Sequence, residues 1–213
     1  ADEWREFPTW PPPAQIAPFC LHGGLALSRD QPADALPDRF RYDPSDPTPV
    51  IGGARLNSPI NGPQDQRPLE ARADVLCYTS APLDRDVDVI GAVRLVLYVR
   101  SSLPHTDFLG RLCDVHPDGR SVNICEGLLR LVPGSGAPQP NGSLRIEIDM
   151  WNTAVRFRRG HRIRLHVASG AHPRWNRNLG TGEPLASGTA MRAADQTIFH
   201  DAEHPSALML PLF

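Results

Sequence analysis

The chain has 213 residues, 24 acidic and 22 basic side chains and a formal net charge of −2, so it carries no positive footprint for nucleic acid or an anionic membrane surface. Its 23 prolines are about twice the share expected from an average usage of roughly 5%, and with 17 glycines they exclude a mainly helical architecture in favour of short strands and many turns. No apolar run reaches membrane-spanning length, and no signal-peptide pattern is present.

The length suits a single all-β domain spanning 1–213, with 1–70 as an extended lead-in and loop and 71–213 as the main strands. In the lead-in, Trp4, Phe7 and Trp10 precede Pro11-Pro12-Pro13, which predicts an extended opening whose aromatics anchor it to the body. A short strand is expected from Cys20 to Leu27, then a proline-rich, acidic loop from Asp30 to Asp46. The stretch TPVIGGARLNSPINGPQDQRPLE pairs glycines with closely spaced prolines, which excludes a regular element and predicts a long shaped loop. The chain opens on Ala1, as a piece excised from a longer polypeptide would.

From residue 71 apolar residues alternate with a period of two. Val93, Leu95, Leu97 and Val99 line one face of a strand, and Leu144, Ile146, Ile148 and Met150 alternate with Arg145, Glu147 and Asp149. FLGRLCDVHPDGRSVNICEGLLRLV reads as a hairpin, with Pro117 presetting φ and Gly119 at the positive-φ corner. Ile163, Leu165 and Val167 alternate with Arg162, Arg164 and His166, giving a dry and a wet face, and the chain closes on a strand at 207–213. Seven or so strands at these spacings predict a sandwich or jelly roll.

All 22 basic residues are arginine, dispersed and balanced by acids, as coding bias would leave them. Cys113 and Cys125 stand one position out of register across the hairpin; with Cys20 and Cys77 they are expected to be free thiols in a reducing, cytoplasmic compartment. His200 and His204 sit four apart but Pro205 denies them a helix, so a turn closed by Asp201 is expected instead of a metal site. Asp114 with Asp118, and Asp43 with Asp46, read as Asx turns and not calcium ligands. The Arg162 and Arg164 side chains are expected to pair across strands with Glu147 and Asp149. No G-x-S-x-G elbow occurs, and Ser135 and Ser187 lie in loops with no helix following, so no catalytic residue, metal or cofactor is assigned. Trp151 and Trp175 are read as exposed loop tryptophans of the kind that anchor ligands or partners.

The succession ADVLCYTSAPLDRDVDVIGAV, HTDFLGRLCDVHPDGR, FRRGHRIRLHVASGAHPRWNRNLGTGE and FHDAEHPSALMLPL, with the opening WREFPTWPPP, resembles the C-terminal non-catalytic domain of the cocaine esterase and X-prolyl dipeptidyl peptidase (CocE/NonD) serine hydrolases. The resemblance implies a jelly-roll β-sandwich of the galactose-binding-domain-like type, packed against an α/β-hydrolase catalytic domain of the same polypeptide that carries the triad. It also implies that the loop Gly52-Gly53-Ala54-Arg55-Leu56-Asn57 points toward the active site. Leu56 and Asn57 would then line the acyl or aromatic side of the substrate, and Arg55, Trp175, Asn176 and Arg177 would belong to the rim or the domain interface. An exposed docking face would let the isolated domain self-associate into a homo-oligomer.

The alternative is a carbohydrate-binding jelly roll in which Trp175 or Trp151 stacks on a sugar and Asn176, Arg177 and Asn178 bond its hydroxyls. Jelly rolls serve as lectins too, and fold alone does not choose between the roles.

Overall fold

The computed structural model describes residues 4–55 and 60–213. Twelve strands and one helical turn follow in chain order: β1 (Gln15–His22), β2 (Ala26–Ser28), β3 (Asp38–Tyr42), α1 (Arg67–Glu70), β4 (Leu76–Thr79), β5 (Val87–Ser101), β6 (Thr106–Val115), β7 (Ser121–Leu131), β8 (Ala137–Pro138), β9 (Leu144–Phe157), β10 (Arg162–Ala168), β11 (Ala194–Phe199) and β12 (Ala207–Leu212). Hydrogen bonds link them in the order β3-β11-β5-β12-β1-β2-β4-β10-β6-β7, with β9 on β5 and β8 on β9. Between the named strands the pairings are antiparallel except where β2 meets β4, at Ala26 and Thr79. That pairing is the corner at which the sheet turns back over itself.

The two halves face each other, making an all-β sandwich. Val89, Val93, Leu95 and Leu97 of β5 and Ile146, Ile148 and Met150 of β9 meet Phe108 and Leu112 of β6 and Ile163, Leu165 and Val167 of β10 in one continuous core. The layers touch most closely at two glycines. A Cβ on Gly127 would lie 2.0 Å from the Asp149 carbonyl oxygen, and one on Gly110 would lie 2.5 Å from a Leu95 methyl. At Gly127 backbone from the opposite layer occupies the space a side chain would fill, and at Gly110 the Leu95 and Met150 side chains occupy it.

The periodic strands stand where their alternation places them, and the β6–β7 hairpin turns at Gly119 with φ +85°. Cys125 faces Leu112, not Cys113, and all four cysteines are free thiols.

Residues 1–70 contribute β1, β2, β3 and α1, and the strand placed at 20–27 is instead β1 from Gln15, a 3-10 turn at Gly23–Leu25, and β2. Pro18 is tolerated because β1 pairs there with β12 alone, β2 reaching only Cys20 to His22, so its missing donor faces an open edge. Asp38–Tyr42, inside the presumed acidic loop, adds an edge strand that buries Phe40 and Tyr42. Of the opening aromatics only Phe7 docks, edge-on against Phe213 at 5.3 Å, while Trp4 and Trp10 are exposed. Finally, β10 lies between β4 and β6, away from β9: Glu147 pairs with Arg94 and Arg145, and Arg164 turns elsewhere.

Candidate functional site

The polar face of β10 is covered beyond its first residue: Arg162 is exposed, Arg164 half-buried and His166 buried. Residues 43–55 and 60–75 run across the outer side of β4, β10, β6 and β7, and residues 169–182 return over the same side. The two loops are joined by a bridge in which Val50 N donates to the His172 oxygen and His172 N donates to the Thr48 oxygen, both at 2.9 Å. Beneath them a small second core forms from Val50, Val75, Leu109, Ala168 and Ala171.

Three buried charge clusters hold the loops down. In the first, Glu70 at the end of α1 accepts from Arg164 at 2.5 Å and pairs with His166 at 2.9 Å, His166 being fully buried. Burial alone would raise the Glu70 carboxyl, but the hydrogen bonds from His166 and Arg164 outweigh it and hold the group at about 2. Burial likewise pushes the His166 imidazole below its usual range, so a neutral ring donates to an ionised carboxylate. In the second cluster, Asp107 accepts from Arg130 Nε and Nη2 at 2.9 and 2.7 Å and from Asn178 Nδ2 at 2.7 Å. In the third, Glu126 accepts from Arg111 Nε at 2.6 Å and from Arg174 Nη1 at 2.7 Å.

The predicted site residues fall out as follows. Leu56 and Asn57 lie outside the described residues. Arg55 lines an open depression with Gly53, Ala54, Asn61, Gly62, Pro63, Asn123 and Ile124, at the base of the loop that contains them. Trp175 is half-buried against the second core and carries the Arg174 guanidinium over its ring at 4.4 Å. Asn176 is exposed and its carbonyl accepts from Arg130; Arg177 donates to the Pro44 oxygen at 3.2 Å. Asn178 is committed at both ends, to Asp107 and to Gly180 N. Trp151 is exposed but stands within β9 at a positive φ of 71°, in the bulge opposite Val93, and not in a loop. The structure thus brings the Arg55 loop and the Trp175 loop together, Gly53 lying against Glu126 and Arg174.

Asp107, Arg111 and Glu126 were missed by sequence reasoning. Their signal was available, since charged residues inside the most apolar hairpin of the chain need buried partners.

Among the described residues one group could hold a metal: Asp114, His116 and His161, with ligand atoms within 4.8 Å of one another. Arg120 Nη2 donates to His116 Nδ1 at 3.2 Å, however, where a metal-bound imidazole would itself donate from its second nitrogen. His161 Nδ1 already meets the Asp114 carboxylate at 2.9 Å, so the group reads as a hydrogen-bonded corner tying the β6–β7 turn to β10. The remaining polar turns match expectation. Asp201 Oδ1 accepts from Glu203 N and His204 N and pairs with the His204 ring, and Asp43 and Asp118 close turns on Ser45 N and Arg120 N. Ser135 Oγ accepts from Val132 N in the turn after β7.

Fold and loops together define a β-sandwich module without a nucleophile elbow in its sequence. Residues 1–209 match the family described as the X-Pro dipeptidyl-peptidase C-terminal non-catalytic domain, and the chain belongs to that family. It is 38% identical over 229 residues to the cocaine esterase of Rhodococcus sp. (strain MB1 Bresler), a match covering 99% of this chain and 40% of that relative. Two solved structures share the fold. An aminopeptidase from a marine sediment archaeon (Thaumarchaeota archaeon) superposes with a TM-score of 0.86 at 23% identity, over 99% of this chain and 38% of that one. An α-amino acid ester hydrolase superposes with a TM-score of 0.82 at 24% identity, over 92% and 36%. The chain therefore spans about 40% of the length of the curated relative it matches over its whole extent.

Proposed function

We propose that this domain is the accessory module of a serine hydrolase acting on esters or X-Pro peptides. It packs as a galactose-binding-like jelly roll on an α/β-hydrolase domain of the same cytoplasmic polypeptide, and it adds the 52–62 loop to the rim of the active site. The observation that carries this reading is the match of nearly the whole chain to a non-catalytic hydrolase domain, in a sequence that has no elbow of its own. The built loop supports the rim assignment: three glycines at positive φ, a closed backbone pair at its base and buried side chains beneath it are a large investment in one surface segment. Leu56 is the side chain assigned to substrate discrimination.

The test uses the full-length polypeptide against 4-nitrophenyl esters from acetyl to benzoyl and against Gly-Pro 4-nitroanilide. Hydrolysis of either series supports the hydrolase assignment, and hydrolysis of neither overturns it. Leu56→Ala is expected to change the ratio of kcat/KM between acyl groups by about 5- to 100-fold, equivalent to about 1–3 kcal/mol of discrimination, with Tm unchanged. An unaltered ratio removes the loop from the rim.

A further inference from the structure

The rim loop rests on a buried ion cluster. Arg111 of β6 and Glu126 of β7 stand directly opposite each other, on the face turned away from the main core, at 2% and 5% exposure. Arg111 Nε holds one carboxylate oxygen of Glu126 and Arg174 Nη1 the other, while Arg174 is itself stacked on Trp175. Gly53 lies on top. A Cβ built there would fall 2.9 Å from Glu126 Oε1 and 3.2 Å from Arg174 Nη1, and its φ of +78° is one that a side chain would strain. The backbone of the loop's incoming arm is thus in contact with the carboxylate, with nothing interposed.

The outgoing arm is clamped by the same strand. Asn123 Oδ1 accepts from Gln64 N at 2.7 Å and from Gln66 Nε2 at 3.0 Å, and Gln66 Nε2 also reaches the Ile51 oxygen on the incoming arm at 3.0 Å. Between the arms Gly53 N donates to the Gly62 oxygen at 2.8 Å and Gly62 N to the Gly53 oxygen at 2.9 Å, closing the loop that contains Leu56 and Asn57.

Stability does not account for this arrangement. Two guanidinium groups share one carboxylate, so the cluster carries a net positive charge below the surface, and among the described residues Arg111 Nη2 has no hydrogen-bond partner. Desolvating such a group offsets most of its attraction, and an apolar cluster of equal volume would hold the two layers as well. What the ions add is a fixed geometry at one point of the loop.

We infer that Glu126 and Arg174 are positioning residues for substrate selection: they set the height and tilt of the Gly53 corner, from which the chain runs on into the segment assigned above to substrate discrimination. This rests on the rim reading above. Glu126 touches no substrate and acts only through the loop.

The test compares Glu126→Gln, Arg174→Met and Leu56→Ala in the full-length polypeptide with the same acyl ester series. Either of the first two variants is expected to shift the benzoyl-to-acetyl ratio of kcat/KM at least 5-fold, through KM for the bulky ester, while kcat for the acetyl ester stays within 2-fold. Hydrogen exchange at Gly53 and Gly62 should accelerate at least 10-fold, with the β6–β7 ladder amides unchanged. Combining Glu126→Gln with Leu56→Ala should give less than the product of the single shifts, because both act through one loop. If Leu56→Ala alters the ratio and neither Glu126→Gln nor Arg174→Met does, the positioning role is overturned while the rim reading stands. If Leu56→Ala leaves the ratio unaltered, the rim reading fails and the positioning role with it. Should Glu126→Gln fail to fold, Arg174→Met, on a half-buried loop, carries the same comparison.

Discussion

Glu70 carries the largest pH consequence among the single side chains of the loop-covered face. Its carboxyl is held at about 2 in the folded chain against an ordinary value of 4.5. Between those limits the unfolded state binds more protons, so the stability this group contributes is complete above about pH 4.5 and is lost as pH falls toward 2. With solvent screening discounted, the contribution is on the order of 1–2 kcal/mol. Glu70→Gln is expected to lower stability by that amount at pH 7 and to converge on the parent chain near pH 2, as read from chemical denaturation across pH. A gap that stays constant with pH would show that Glu70 acts by shape alone.

The thiols give a second residue-scale test. Burial pushes Cys77 and Cys125 up to about 12, and raises Cys20 and Cys113 as well. Because the thiolate is the reactive form, all four should react with a disulfide reagent at pH 8 at least about a hundred-fold more slowly in the native chain than after unfolding. One fast-reacting native thiol would contradict that burial.

At the scale of elements, β7 and β9 approach across the sandwich only because Gly127 has no side chain. Gly127→Ala would place a methyl group 2.0 Å from the Asp149 oxygen, forcing two strands apart instead of one flexible side chain. The expected loss is about 3 kcal/mol, or roughly 6–12 °C in Tm. A variant that melts with the parent would mean the layers are not packed as described. Elements also show where periodicity serves and where it fails. The alternation in Val93–Val99 and in Leu144–Met150 placed both strands and their buried faces. The same alternation in Arg162–Ala168 placed the strand but misjudged its polar side, because a period of two states which residues share a face and not what covers it. Covering comes from α1, a four-residue turn whose Glu70 is 94 and 96 positions away from Arg164 and His166.

For the whole molecule, a sandwich that lacks a nucleophile elbow should be inert alone. The purified chain is expected to remain unlabelled by a fluorophosphonate and to hydrolyse none of the ester series, checked by gel fluorescence and by absorbance; labelling of a serine here would overturn the accessory role.

The sequence by itself determined the all-β class, the long strands, the β6–β7 hairpin with its unpaired cysteines and, by resemblance, the hydrolase family, because each is carried by local alternation, turn chemistry or a contiguous motif. Tertiary structure alone decided that β1, β2 and β3 of the first 70 residues are woven into the sheet, that His166 is dry, and that Arg111, Glu126 and Arg174 converge under Gly53. Those are contacts between segments far apart in the chain. A one-dimensional pattern records which side chains want burial but not the distant partners that bury them.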